Sequence, residues 1–132
     1  MATLNYNGVL MASKAEEKNE EQCEDDHLSE DELLDDVIFH RRKNSNIQYK
    51  PFNEWKDAKE WNFVLKNGES AECLAVGSGW NAVLTNFNYL RVFSNNGVQT
   101  TLMCQAHPVV TMAGYENYLA IVYYSGPAFN GY

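Results

Sequence analysis

Two stretches in the second half of the chain almost repeat. Cys73-Leu-Ala-Val-Gly77, then Gly79-Trp80 and the apolar run Ala82-Val-Leu-Thr85, are echoed further on. The echo is Val110-Thr-Met-Ala-Gly114, then Glu116-Asn117-Tyr118 and Leu119-Ala-Ile-Val-Tyr123. Gly77 to Gly114 is a shift of 37 residues, and Ala82 to Ala120 a shift of 38. That pitch is close to the roughly 40 residues of one four-stranded blade of a β-propeller. A blade cannot bury both of its faces alone, so like sheets must stack on it. The expected fold class is therefore all-β: an incomplete β-propeller of about two blades, preceded by an acidic disordered segment.

The turn chemistry supports the same reading. Trp61-Asn-Phe-Val-Leu65 alternates loosely and ends at Asn67-Gly68, as an outer strand of a preceding blade would. Strands are expected at Glu72 to Val76, Trp80 to Thr85, Tyr89 to Phe93, Val98 to Cys104, Val109 to Ala113 and Tyr118 to Tyr124. Gly77-Ser-Gly79, Asn86 to Asn88, Asn95-Asn-Gly97, His107-Pro108 and Glu116-Asn117 punctuate them. Apolar residues on both faces suit a sheet held between neighbours. Trp55, Trp61 and Trp80, with Gly77 and Gly114, are the expected structural anchors.

The N-terminal third differs in kind. Of the 18 acidic residues in the chain, 12 lie between Glu16 and Asp36. From Val37 onward there are 8 bases against 6 acids, so the net charge of −8 belongs to the first third. The expected organisation is an upstream strand region at 1–13, an acidic disordered linker at 14–46 and a partial propeller at 47–132. Met1 to Ser13 allows a strand pair around Asn7-Gly8, with a frayed terminus as the plainer reading. Ser29-Glu-Asp-Glu32 has capping-box spacing and predicts a short helix from about Glu30 to Phe39. Ser29 also sits in the acidic context that acidophilic kinases choose, and Arg41-Arg-Lys43 is a short basic cluster best read as solvated linker.

Catalytic chemistry finds little footing. Cys104-Gln-Ala-His107 has the spacing of half a zinc site, and the missing ligands would have to come from Cys73, His40 or Cys23. A strand cysteine followed by a turn histidine explains the same residues, so no metal and no cofactor is expected. Gly77-Ser-Gly79 lacks the third glycine, lysine and helix of a phosphate loop. No serine sits in a G-x-S-x-G frame, and no nucleophile stands with a base, so the chain is not expected to be an enzyme. The near-neutral remainder gives no electrostatic case for gripping a phosphate backbone, and the aromatics lack interleaved Lys and Arg. No run approaches the roughly 18 to 20 apolar residues of a membrane-spanning helix. Three unpatterned cysteines and no apolar leader segment point to a reducing, intracellular compartment.

From Ile47 to Gly131 the chain resembles the SepB-type β-propeller of the replisome adaptor family. Members are called chromosome transmission fidelity proteins in yeast, and acidic nucleoplasmic, or WD-repeat and HMG-box, DNA-binding proteins in animals. Phe52-Asn-Glu-Trp55 with Lys59-Glu-Trp61 is similar to the family's aromatic opening. Gly79-Trp80-Asn-Ala-Val-Leu-Thr85, Leu90-Arg-Val-Phe93 and Gly97-Val-Gln99 resemble its first full blade. His107-Pro-Val-Val-Thr-Met-Ala-Gly114, Ile121-Val-Tyr123 and Gly126 resemble the start of the next. Met1 to Ser13 is similar to the strand just upstream, which makes Lys14 to Lys43 an expanded acidic loop. The resemblance implies a piece of a nuclear, non-enzymatic adaptor. Such an adaptor trimerises through its propeller, links the replicative helicase to DNA polymerase α–primase, and supports sister-chromatid cohesion. It implies indirect contact with chromatin and none with membrane. The family's upstream WD40 repeats, following helical bundle and HMG box have no counterpart in these residues. An unrelated WD40-type scaffold is the alternative, although the Trp-Asp blade ending is missing.

Overall fold

The computed structural model describes residues 1–14, 44–53 and 59–126, and every regular element among them is a strand. The first sheet contains β1 (Ala2–Leu4), β2 (Gly8–Ser13), β3 (Asn46–Pro51) and β4 (Trp61–Val64). The second contains β5 (Ala71–Val76), β6 (Trp80–Thr85), β7 (Tyr89–Ser94) and β8 (Gln99–Cys104). A hairpin follows, β9 (Val109–Tyr115) and β10 (Tyr118–Tyr123). Each four-stranded sheet is an antiparallel meander in sequence order. The chain is an incomplete β-propeller: two blades and the first hairpin of a third.

The strands expected from the turn pattern are present with boundaries moved by a residue or two, and β4 is the outer strand of the first blade. The N-terminal residues are not frayed. β1 and β2 form a hairpin in which Leu4 faces Val9, and Leu10 is fully buried. The Met1 ammonium donates to the Ala12 carbonyl at 2.8 Å. Asn46–Pro51 is a strand that the turn signals do not mark; it pairs with β2 from Gly8↔Pro51 to Ser13↔Asn46. The acidic stretch thus connects two neighbouring strands of one sheet. The expected helix at 30–39, Ser29, the 41–43 basic cluster and Trp55 lie outside the described residues.

Two apolar layers hold the blades together. Leu10, Ile47 and Tyr49 from the first sheet meet Val76, Val83 and Phe93 from the second. On the other face, Ala75, Ala82, Leu84 and Leu90 meet Met112, Leu119 and Ile121 of the hairpin. The central blade is therefore covered on both sides, and Asn81 to Thr85 are buried without a break. This is why β6 reads as a continuous apolar run rather than as an alternation. Each fully buried Leu or Phe contributes about 1.5–3 kcal/mol of transfer free energy, so the layers are the main source of cohesion.

Candidate functional site: the blade interfaces and open faces

β5 packs against β1, β2 and β9, which brings the first turn of each blade to one end of the assembly. Those turns are latched in series. Asn5 Nδ2 donates to the Gly77 carbonyl at 3.0 Å, while its Oδ1 accepts from Asn7 N and Gly8 N. The next turn reaches the one after it through two donors. Ser78 N and Trp80 Nε1 each lie 2.8 Å from the Glu116 carbonyl oxygen. The Trp80 ring lies over two glycines. A β-carbon on Gly77 would stand 2.1 Å from Trp80 Cε2. On Gly114 it would stand 2.4 Å from the Val76 carbonyl oxygen and 2.7 Å from Trp80 Cη2. Neither glycine has a positive φ, so the requirement is close approach and not backbone freedom.

A second tryptophan joins the first two blades at their outer side. Trp61 Nε1 donates to the Asn95 carbonyl at 3.1 Å, and its ring stacks near Tyr49 and tilts against Phe93. A β-carbon on Gly97 would come within 2.6 Å of Trp61 Cγ. The sequence-derived anchors thus stand in two places: Trp80, Gly77 and Gly114 together at one interface, and Trp61 at the other.

Glu69 and Arg91 form a buried pair that the sequence pattern does not announce. Arg91 Nε and Nη2 donate to the two Glu69 carboxylate oxygens at 2.9 and 2.8 Å, and Nη1 donates to Gln99 Oε1 at 2.9 Å. The Arg91 guanidinium also lies near the faces of Phe63 and Tyr89. Burial opposes the charge on Glu69, but the hydrogen bonds and charge of Arg91 outweigh it and hold the carboxyl below its usual range. The signal available in sequence was a lone arginine inside the apolar run of β7, since its acid is 22 residues away. Asn5 was missed as well; an Asn two residues before Asn7-Gly8 reads only as turn chemistry.

These interfaces set the geometry against which relatives can be placed. The family described as minichromosome loss protein, Mcl1, middle region, matches residues 1–132. The chain belongs to this family. It is 34% identical over 131 residues to "WD repeat and HMG-box DNA-binding protein 1" of Mus musculus, covering 99% of this chain and 10% of that protein. It is 41% identical over 78 residues to "Protein ENHANCER OF LHP1 1" of Arabidopsis thaliana, covering 59% of this chain and 8% of that one. The chain spans about a tenth of the length of these curated relatives. Among solved structures, the crystal structure of HIRA(644-1017) aligns with a TM-score of 0.48 at 21% identity, over 60% of this chain and 23% of that one.

Three further surfaces remain, a groove and two sheet faces. β1, β5 and β9 line an open groove of about 230 Å³, walled by Thr3, Asn5, Leu74, Val76, Met112 and Gly114 among others. It carries no charged side chain. Cys104 and Cys73 are free thiols, the former exposed, and among the described residues no three metal-binding side chains gather. The two outer sheet faces of the assembly are open and partly apolar. Leu4 and Val64 are exposed on the first sheet, and Tyr115, Tyr118 and Val122 on the hairpin. What the described faces offer is contact area.

Proposed function

We propose that this chain supplies consecutive blades of the propeller in a non-enzymatic, nuclear DNA-replication adaptor. In this reading the complete propeller trimerises and links the replicative helicase to DNA polymerase α–primase, supporting sister-chromatid cohesion. The observation that carries it is the family match over residues 1–132, joined to relatives whose names couple WD repeats with an HMG box and DNA binding. The geometry agrees with a scaffold. The described polar groups of the site are used within the fold: the Asn5, Trp80 and Trp61 latches join neighbouring blades, and Glu69 pairs with Arg91 inside the second blade. DNA contact is assigned to other parts of the polypeptide or to partners. The described residues carry few charges, and Arg91 is paired inside the core.

The test is recovery of partners by the full-length protein that contains this chain. Tagged protein should bring down DNA polymerase α–primase and the replicative helicase from nuclease-treated nuclear extract. Its mass in solution should correspond to three copies. Recovery of neither enzyme would leave a general interaction propeller unrelated to replication.

A further inference from the structure

Three turns among the described residues carry an Asn-Gly pair: Asn7-Gly8, Asn67-Gly68 and Asn96-Gly97. Such pairs share one reaction. The glycine amide nitrogen attacks the asparagine side-chain carbonyl carbon, ammonia leaves, and a succinimide ring closes. Water then opens the ring at either carbonyl, to aspartate or to isoaspartate. Glycine favours the attack because it has no side chain to hinder it. Ring closure also needs a free glycine amide and a linking peptide group that can rotate, and here the fold discriminates. At Asn7-Gly8 both halves of the linking peptide are bonded. Gly8 N donates to Asn5 Oδ1 at 3.2 Å, and the Asn7 carbonyl accepts from Phe52 N at 3.0 Å. At Asn96-Gly97, Gly97 N donates to the Ser94 carbonyl at 3.0 Å, and the glycine lies against the Trp61 ring. At Asn67-Gly68 both residues are exposed. Neither the Asn67 carbonyl nor Gly68 N has a hydrogen-bond partner among the described residues.

We propose that Asn67-Gly68 is a site of spontaneous deamidation and isoaspartate formation, set where the chain crosses from the first blade to the second. Glu69 N donates to the Lys66 carbonyl at 3.0 Å and Gly68 has φ +78°, so Asn67 and Gly68 are the central pair of a type II turn. The peptide between them takes no part in the closing bond and is free to turn over. The ends of the turn are fixed. Leu65 is buried, and its amide donates to the Ser45 carbonyl of the first blade at 2.9 Å. Glu69 is buried on Arg91 of the second blade, and Asn86 holds the Gly68 carbonyl and the Ser70 amide. Isoaspartate routes the backbone through the former side chain. It adds one carbon to the span between these fixed points and leaves a free α-carboxylate on the turn. The extra length and the new charge, two residues from Glu69, both work against the Glu69–Arg91 pair. The exposed carboxylate is the acceptor group of isoaspartyl methyltransferases. A methyl passes to it from the sulfonium of S-adenosylmethionine, leaving S-adenosylhomocysteine, and the ester recloses to the succinimide with loss of methanol. The turn is thus a substrate for that repair chemistry.

The test ages the full-length protein that contains this chain in warm, mildly alkaline buffer. Samples are digested with pepsin in acid, where the reaction stops, and each Asn-Gly peptide is followed by mass spectrometry. In native protein Asn67 should deamidate at least about tenfold faster than Asn7 or Asn96, since those glycines must first give up a hydrogen bond and its packing. In urea the three rates should converge. Aged native protein, given purified isoaspartyl methyltransferase and S-adenosylmethionine, should take up methyl groups on the Asn67 peptide. Asn67→Gln should remove that uptake, because glutamine closes its larger ring far more slowly. Ageing should also lower the urea midpoint of the parent more than that of Asn67→Gln. Fresh Asn67→Asp, which carries the charge without the extra carbon, should stay closer to the parent midpoint than the aged parent does. A native margin below about tenfold would overturn the proposal. So would a product at Asn67 that is aspartate alone, or equal loss of midpoint in aged parent and aged Asn67→Gln.

Discussion

Gly114→Ala tests the claim that the blades are set by backbone approach at the Trp80 latch. The new methyl group would lie 2.4 Å from the Val76 carbonyl oxygen, which is backbone and cannot rotate away. It would also lie 2.7 Å from Trp80 Cη2. Relief requires β9 to move away from β5. That motion lengthens the bonds from Ser78 N and Trp80 Nε1 to Glu116, both now 2.8 Å. Overpacking costs about 1–3 kcal/mol, and this site is at the upper end because no rotamer offers an escape. The two weakened hydrogen bonds add about 1 kcal/mol each at most. The stiffer unfolded chain returns about 0.4–1 kcal/mol. The net expectation is a loss of about 3 kcal/mol, read as a lower urea midpoint with the tryptophan emission as the probe. A paired measurement separates the two contacts. At Gly77 the three atoms nearest to such a carbon all belong to the Trp80 ring, so Gly77→Ala should become nearly neutral in a Trp80→Ala background. Gly114→Ala should keep part of its cost there, because Val76 remains. A Gly114→Ala protein within about 0.5 kcal/mol of the parent would refute the reasoning.

Asn5→Asp keeps the acceptor for Asn7 and Gly8 but removes the donor to Gly77, so it should cost about 1–3 kcal/mol, whereas Asn7→Asp should be near neutral in the same melts. Glu69→Gln should cost about 3–5 kcal/mol by stranding Arg91. The folded carboxyl titrates below its unfolded value, so its contribution is present above the unfolded pKa, about 4.3, and is lost as pH falls through the folded one. Acid unfolding curves should therefore flatten in Glu69→Gln, and an unchanged curve would count against the pair. In native protein, iodoacetamide should modify exposed Cys104 well before Cys73, whose thiol is pushed up first by burial and then by the Glu72 charge. Peptide mapping that finds equal rates would contradict the packing at β5.

The strands from Ala71 onward were legible because each is bounded by a turn with its own chemistry, and Asn88 and Gly97 do adopt the positive φ that such turns use. β3 was not, because its period-two signal is only Ile47 and Tyr49 set among Asn46, Gln48 and Lys50. The hairpin at 1–13 was ambiguous for a different reason. Its hydrophobic partners come from Ile47, Tyr49 and the second sheet, so nothing local shows that Leu10 is buried. The glycine alignment was off by one because a glycine needed for close approach marks a contact, not a register position. The Glu69–Arg91 pair joins the loop before β5 to a strand 22 residues on, a separation at which charge patterning in sequence carries no information.

The place of the acidic stretch follows from the same register. β2 and β3 pair without a slip up to Ser13↔Asn46, and the Ser45 hydroxyl donates to the Ser13 carbonyl, so the sheet is fully formed where the connection departs. The equivalent connection in the second blade is Asn86-Phe87-Asn88, three residues between β6 and β7. Replacing a connection of that size by one of about thirty residues costs only about 2 kcal/mol of closure entropy, even if the longer one makes no contacts of its own. Burial of Leu10, Ile47 and Tyr49 exceeds that at about 1.5–3 kcal/mol each. β2 runs from Gly8, beside the Asn5 latch, to Ser13 at the other end of the blade. The connection therefore leaves from the end opposite the latched turns. The ends of the connection, Ser13 and Asn46, thus stand away from the Asn5–Gly77 contact that latches the first blade to the second. Shortening the stretch to a three-residue turn should accordingly raise stability by about 2 kcal/mol, read as a higher urea midpoint. A loss of stability would mean that the acidic stretch itself packs on the sheet.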